Sequence, residues 1–595
     1  MSSLPAPTPW SGTPAPAGST SPVDATTADD GLIHIGRRAQ FITLGAVMLG
    51  MLLGALDQTI VGTAMPTIIG ELNGLEHYSW VVTGYMVAST AGVPIFGKLS
   101  DTFGRKWLFM GGIGIFLAGS MLAGLSQSMT QLIAFRALQG VGAGMMMPIA
   151  QAIIGDIFTP AERARYQGLL MAVFGLSSVA GPTLGGWITD NLDWRWVFYV
   201  NVPFAILALA VIFVVLPSHT AAQRRASIDW LGAGALIASV VPLLLGLSWG
   251  GSTYPWGSGT ILGLFGTALV FGVAFVLIER RAAAPIIPLD LFRNRIFTAS
   301  VVITFLTAVG MFGAILYIPL FVQVALGDTA TGSGFVLTPM MLSLIVMSIG
   351  SGLVLSRTGR YKILAIAGTT ITTGGMLLLG QMTTATDHGT LVRNMVVLGV
   401  GLGASMTLFT IVVQNAFPVG RLGAVTASLA FFRSIGGVVG VAVLGSVMTN
   451  RMTTDLQQGL AGLPPEVAAK LGPLAANPQA LLDPAAQAAF KAQLATLGPA
   501  AAGMAEQVTG VIRNAVASGV TEVFVIGAGL IGLAFVTSFF LQEIPLRATR
   551  HTVSHELEEI GIDLGAGVGD ELQAELVEEA AEAAKETVRP APTAR

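Results

Sequence analysis

Apolar runs of about twenty residues follow one another from residue 39 to residue 541, separated mostly by short polar breaks. A helix rises about 1.5 Å per residue, so each run is long enough to cross roughly 30 Å of hydrocarbon. Within a bilayer every backbone N–H and C=O must be satisfied internally, which leaves helices as the economical solution for such runs. Only 11% of the 595 residues are charged, against about 25% in a soluble domain. One anchor cannot account for that shortfall. The chain is therefore expected to be an all-α polytopic membrane protein.

The runs predict fourteen spans: 39–66, 80–98, 107–126, 130–155, 166–190 and 195–216; then 229–249 and 258–279; then 296–325, 331–356, 363–382, 392–416, 424–450 and 517–541. This divides the chain into a disordered cytoplasmic tail (1–38), a six-helix bundle (39–216) and a linker with two extra spans (217–295). A second six-helix bundle (296–545) with an extracytoplasmic loop (451–516) follows, then an acidic cytoplasmic tail (546–595). Basic residues set the orientation. Arg37, Arg38, Lys98, Arg105, Lys106, Arg280, Arg281 and most others fall on one side. Only Arg195, Arg393, Arg451, Lys470, Lys491 and Arg513 fall on the other. An even span count with both termini cytoplasmic keeps that asymmetry. Trp80, Trp187, Trp194, Trp196, Trp249 and Trp256 mark the outer interface, and Trp107 and Trp230 the inner one. The first residues are rich in Pro, Ser and Thr and read as a tail rather than a signal peptide. The acidic stretch 570–586 reads as a solvated tail or an amphipathic helix.

Three ionisable residues interrupt the spans: Asp57, Arg136 and Arg433. A charge at the centre of a span costs about 2.5–3.5 kcal/mol on insertion scales, so such residues are rare and usually functional. Asp57 and Arg136 fall in the outer halves of the first and fourth spans, on helices able to face each other. A carboxylate beside a guanidinium is stabilised as the anion, and moving the partner or admitting water changes that balance. The pair therefore reads as a proton switch or as a static ion pair setting helix register. Arg433 lies in the thirteenth span and either snorkels to the cytoplasmic interface or meets substrate.

Other motifs accompany these charges. Gly97-Lys98-Leu99-Ser100-Asp101-Thr102-Phe103-Gly104-Arg105-Lys106 follows the second span, and Ser356-Arg357-Thr358-Gly359-Arg360-Tyr361-Lys362 recurs at the matching place in the last six, without the aspartate. That recurrence is expected of a two-lobed transporter with internal repeats. Gly175, Gly181-Pro182 and Gly185-Gly186 lie on the fifth span, where small residues allow close helix approach. Gly92 to Lys98 mimics a phosphate-binding loop, but Leu99 replaces the needed Ser or Thr and no strand precedes it. Cysteine is absent, which excludes thiol chemistry and disulfides, and the six histidines show no ligand spacing. No cofactor and no nucleic-acid partner are expected.

Residues 97–106, the Arg136-Ala137-Leu138-Gln139-Gly140 stretch, Gly181-Pro182 with Gly185-Gly186, and Leu56-Asp57-Gln58-Thr59 through Pro66 together resemble the major facilitator superfamily. Within it they look like the 14-helix drug:proton antiporter family, the QacA/EmrB-like group. The resemblance covers residues 40–545. It implies a major facilitator fold of two six-helix bundles plus two central helices, alternating access, and export driven by the proton gradient. It makes Asp57 the protonation site and Arg136 its coupling partner. Gly97, Asp101, Gly104 and Arg105 become the cytoplasmic gate, and the fifth-span glycines the antiporter motif between lobes. Gly62 and Met65 depart from the family pattern, and no acid appears in the span 331–356.

The leading expectation is a multidrug efflux antiporter of the cytoplasmic membrane, exporting small lipophilic or cationic compounds against protons. Gln58, Gln139, Met146 and Arg433 are candidates to line the substrate cavity. Met51, Met86, Met145, Met147 and Met171 offer further adaptable apolar surface or simple packing. Export of a lipid or glycolipid by the same fold is the alternative, and a receptor or scaffold acting through the acidic tail is a third reading. An enzyme is not expected: no span carries paired aspartates, a G-x-S-x-G elbow or a histidine cluster.

Overall fold

The computed structural model describes residues 35–72, 78–216, 229–251, 253–328, 330–418, 421–461 and 500–545. The expected terminal tails (residues 1–34 and 546–595) and residues 462–499 lie outside them. Among the described residues the chain is helical, with no named β-strand. The first group is α1 (Arg37–Leu72), α2 (Tyr78–Phe103), α3 (Arg105–Gly124), α4 (Met129–Ile157), α5 (Pro160–Asn191), α6 (Trp196–Tyr199) and α7 (Asn201–Val215). Then come α8 (Trp230–Trp249) and α9 (Gly259–Glu279). The last group is α10 (Arg295–Leu320), α11 (Ala330–Thr358), α12 (Tyr361–Gly380), α13 (His388–Asn415), α14 (Leu422–Ala461) and α15 (Ala500–Ser538). Among the described residues 13 helical segments, with α6 and α7 counted as one, are long and apolar enough to cross a membrane.

Local chemistry sets the helix starts. Ser128 caps α4 by accepting from Gln131 N. Thr159 and Glu162 form a reciprocal capping box at the start of α5. Asp387 caps α13 through Thr390 N. Sharp turns use glycine: Gly104 between α2 and α3 has φ 90°, and Gly359 between α11 and α12 has φ 65°. An L side chain at either position would be strained. These two glycines occupy matching places in the two recurring motifs, so the repeat read from sequence extends to backbone conformation.

Packing repeats as well. In the first group α1 packs on α5 and α7, α2 on α4, and α3 on α4 and α7. In the last group α10 packs on α14 and α15, α11 on α13, and α12 on α13 and α15. These contacts of the second half are those of the first with each helix replaced by its counterpart, and α14 packs on α15 in addition. Each half has its own apolar core. Val47, Phe109, Phe116 and Ile149 lie in the first, and Ile318, Phe321, Leu398 and Phe524 in the second. The halves meet reciprocally, α5 on α11 and α2 on α14. The α8–α9 pair packs on itself and then on α2 and α14, at the edge of that junction.

Two boundaries differ from expectation. Residues 451–461 continue α14 and 500–516 begin α15, so both ends of the expected extracytoplasmic segment 451–516 are extensions of the flanking helices. The charges that read as loop are a polar helix–helix contact: Arg451 meets Asp455 at 3.2 Å and Glu522 at 3.5 Å, and Ser518 bonds Asp455. The expected span 195–216 is also divided at Val200 into α6 and α7.

Candidate functional site

Asp57 on α1 and Arg136 on α4 meet, and both are buried, at 0% and 2% exposure. Arg136 Nη1 donates to Asp57 Oδ2 and, at 2.8 Å, to Gln139 Oε1. Gln139 lies one helical turn further along α4 and donates from Nε2 to Asp57 Oδ1 at 2.8 Å. Asn201, the first residue of α7, donates to the same oxygen at 3.3 Å and to Ser120 Oγ of α3 at 3.1 Å. Ser120 in turn donates to Phe198 O at 2.8 Å. The Arg136 guanidinium stacks 4.3 Å above the Tyr85 ring of α2. Asp57 thus accepts from side chains on two other helices, and a further helix covers its partner.

Charge-assisted hydrogen bonds in a dry site are strong, and an unpaired charge there is costly. Three side chains, Arg136, Gln139 and Asn201, donate to the two oxygens of Asp57. Arg136 Nε and Asn201 Oδ1 have no hydrogen-bond partner among the described residues.

Glycine brings the helices this close. A Cβ on Gly140 would strike the Tyr85 backbone, and one on Gly144 the Ser89 backbone, so α4 lies directly on α2. The fifth-helix motif acts on the opposite side of α1. A Cβ on Gly181 would fall on Thr59, and one on Gly185 on Thr63 and Ile60. Thr59 Oγ1 donates to Ser177 O of α5 at 3.0 Å. The motif therefore seats α5 against the turn of α1 that follows Asp57. Gly175 faces the other way, toward Ile345 of α11, and carries the contact between halves. Gly186 has open space around it. Pro182 has its side chain outside the described residues.

The second cluster joins the halves at one end. Asp101 Oδ1 accepts from Gly423 N at 3.0 Å and Oδ2 from Ala424 N at 2.8 Å, so the carboxylate caps α14 of the opposite half. Arg105 pairs with Asp101 at 2.5 Å and donates from Nε to Asp156 Oδ2, at the end of α4, at 2.9 Å. Ser100 Oγ accepts from Arg105 at 2.6 Å. Gly97 lets α2 meet Ala427 of α14, where a Cβ would collide. Beside this latch Gln414 of α13 donates to Thr426 at 3.1 Å and reaches Gln151 O of α4 at 3.5 Å. The halves are latched at the Asp101 end. Asp101→Ala frees two helix N-terminal amides and should weaken the latch by about 1–2 kcal/mol. Spin labels placed across α2 and α14 at that end should then report a longer distance, while Asp101→Asn should keep part of the cap.

The expected cavity residues divide. Gln58 is exposed beside buried Asp57, and the Tyr85 hydroxyl donates to Gly54 O of α1 at 3.4 Å. Gln139 is fully buried and committed to Asp57 and Arg136, so it belongs to the ion-pair network rather than to a cavity wall. Met146 is 2% exposed inside the first-half core against Gly54 and Gly112, which corrects its assignment to the cavity. Met51 and Met145 are buried in the same core, with Met86 and Met147 packed against it. Met171 has its side chain outside the described residues. Arg433 is half-buried in the first third of α14, and no partner binds its guanidinium among the described residues. Asn201, Ser120 and Tyr85 escaped the sequence reading because a search for charges passes over neutral side chains. An asparagine at the head of an apolar run is the signal that was available. Among the described residues no three His, Asp or Glu side chains converge as metal ligands.

Known proteins share this architecture. Multidrug transporter protein MdtP of Bacillus subtilis (strain 168) is 41% identical over 519 residues, covering 86% of this chain and 94% of its own. Multidrug resistance protein 3 of the same organism is 37% identical over 528 residues, 89% of this chain and 98% of its own. The crystal structure of the human organic anion transporter MFSD10 (TETRAN) superposes with a TM-score of 0.54 at 16% identity, over 84% of this chain and 99% of that one, a likeness of fold. The family model described as Major Facilitator Superfamily matches residues 47–441. With the paired helix repeats and membrane-length helices above, this match places the chain in the Major Facilitator Superfamily, as a multi-pass membrane protein.

Proposed function

We propose that this protein is a proton-coupled antiporter that exports small lipophilic or cationic compounds from the cytoplasm by alternating access. In this reading α5 completes fourteen spans, both termini are cytoplasmic, and the Asp101 end is the cytoplasmic gate. The observation that carries it is the fully buried Asp57 held by Arg136, Gln139 and Asn201. A carboxylate enclosed this way is an expensive structural element and an effective place to exchange a proton for a conformational change. The proton gradient is the energy source, with no organic cofactor. Relatives named as a multidrug transporter and a multidrug resistance protein support the drug-like cargo, and the MFS-type efflux pump MFS1 of Trichophyton rubrum, 32% identical over 448 residues, supports export.

The packing of the helices supports a route for alternating access. The Asp101 latch closes one end. Protonating Asp57 loosens the donors that tie α1 to α4 and α7, and Gly181 and Gly185 pass the movement from α1 to α5. Helix α5 lies on α11 of the other half, so the change reaches the junction between halves. Release of the proton on the cytoplasmic side restores the network. Inverted membrane vesicles with an acidic lumen should accumulate a fluorescent cationic dye, and collapsing the pH gradient should release it. Dye uptake indifferent to the gradient would remove proton coupling from the proposal. Protein without dye uptake but enriched in one native lipid would favour lipid as cargo.

A further inference from the structure

Two acidic residues outside the Asp57 network converge at the inner end of the α8–α9 pair. Glu279 is the last residue of α9 and is 4% exposed. Its Oε1 accepts from Ile286 N at 2.9 Å. Its Oε2 is buried with no hydrogen-bond partner. Asp229 caps α8: Oδ1 accepts from Gly232 N at 2.7 Å, while Oδ2 is buried and likewise unbonded. A Cβ built on Gly232 would lie within 4 Å of both Asp229 Oδ2 and Glu279 Oε1, so these two oxygens flank the same glycine.

Two adjacent ionised carboxylates repel, and each would bury an oxygen without a donor. One proton relieves the repulsion and gives Asp229 Oδ2 a partner: as an O–H it turns toward Glu279 Oε1, which accepts it beside the bond from Ile286 N. The charged groups facing Glu279 are Asp229 and Lys98 of α2. Helix α14, which also packs on α8, contributes apolar Ala427, Ala430 and Phe431 there. Arg280 and Arg281 follow in sequence and are exposed. We propose that Asp229 and Glu279 form a second proton-binding site, holding one proton between their carboxyl groups. Its occupancy has a mechanical outlet. Ile286, whose amide Glu279 holds, and its neighbour Ile287 are 1% and 3% exposed and pack with Val93 and Ile95 of α2 and Phe431 of α14. The site thus governs how firmly the α9–α10 connection is held against the helices that form the latch. It stands apart from Asp57 and survives if that residue carries no proton.

Infrared difference spectra of the purified full-length protein, recorded across a pH titration, test this assignment. A protonated-carboxyl C=O stretching band should be lost in Glu279→Gln and lost or shifted in Asp229→Asn, while Asp57→Asn keeps it. Glu279→Gln supplies an amide donor where the proton would stand, so it should fold. Its melting midpoint should lose a pH-dependent step that the unaltered protein shows, the midpoint falling as pH rises and the shared proton leaves. A carboxyl band and a pH–stability profile unchanged in both variants would overturn the proposal. If Glu279→Gln failed to fold, Asp229→Asn would carry the same two readouts.

Discussion

Asp57→Asn should abolish transport driven by a pH gradient while leaving the protein folded. The asparagine is nearly isosteric, and its oxygen can still accept from Arg136. Its NH2 group cannot replace the second carboxylate oxygen, which accepts from both Gln139 and Asn201. The variant also removes the proton acceptor. Dye accumulation in acid-loaded inverted vesicles should therefore fall to that of vesicles without the protein. Dye binding to the purified variant should persist, because the network holds α1, α4 and α7 together from inside the first half. Loss of binding together with transport would instead make Asp57 a substrate contact.

Removing the arginine should be worse for stability than removing the acid. Arg136→Met strips the cation from a carboxylate that is 0% exposed and leaves only neutral amides to hold it. Breaking a buried ion pair from one side costs about 3–5 kcal/mol, because the other charge stays desolvated. The methionine retains some of the contact over the Tyr85 ring, so the loss reports charge more than packing. In Asp57→Asn/Arg136→Met no buried charge remains, and the double variant should be more stable than Arg136→Met alone by about 1–3 kcal/mol. Thermal unfolding in detergent of the four proteins closes the cycle. Additive losses would mean that the two side chains act independently.

Both predictions rest on a contact that was legible in the sequence, since a lone acid and a lone base in two apolar runs have few other ways to be neutralised. The spans were legible for the same reason: burial in lipid leaves a long, charge-poor signature. The repeat was visible as two related loops, and the positive φ at Gly104 and Gly359 gave it a structural meaning. What sequence spacing concealed was which way side chains turn. Met146 and Met145 have the composition of an adaptable cavity wall, yet α4 turns them into the core with α1 and α3. Arg451 and Asp455 looked like loop chemistry because a helix can extend beyond the apolar layer and remain a helix. Glu279 closes the expected span 258–279, just before Arg280 and Arg281. Only the fold brings it to Asp229, fifty positions away in the chain.

Coupling itself is most directly tested by running transport backwards. Purified protein in liposomes with equal pH on both sides is given an outward gradient of a cationic dye, and a pH-sensitive fluorophore reports the lumen. Dye moving down its gradient should carry protons the opposite way, acidifying the lumen, and Asp57→Asn should show no such change. Dye flux through the unaltered protein with no accompanying proton movement would contradict the antiport account.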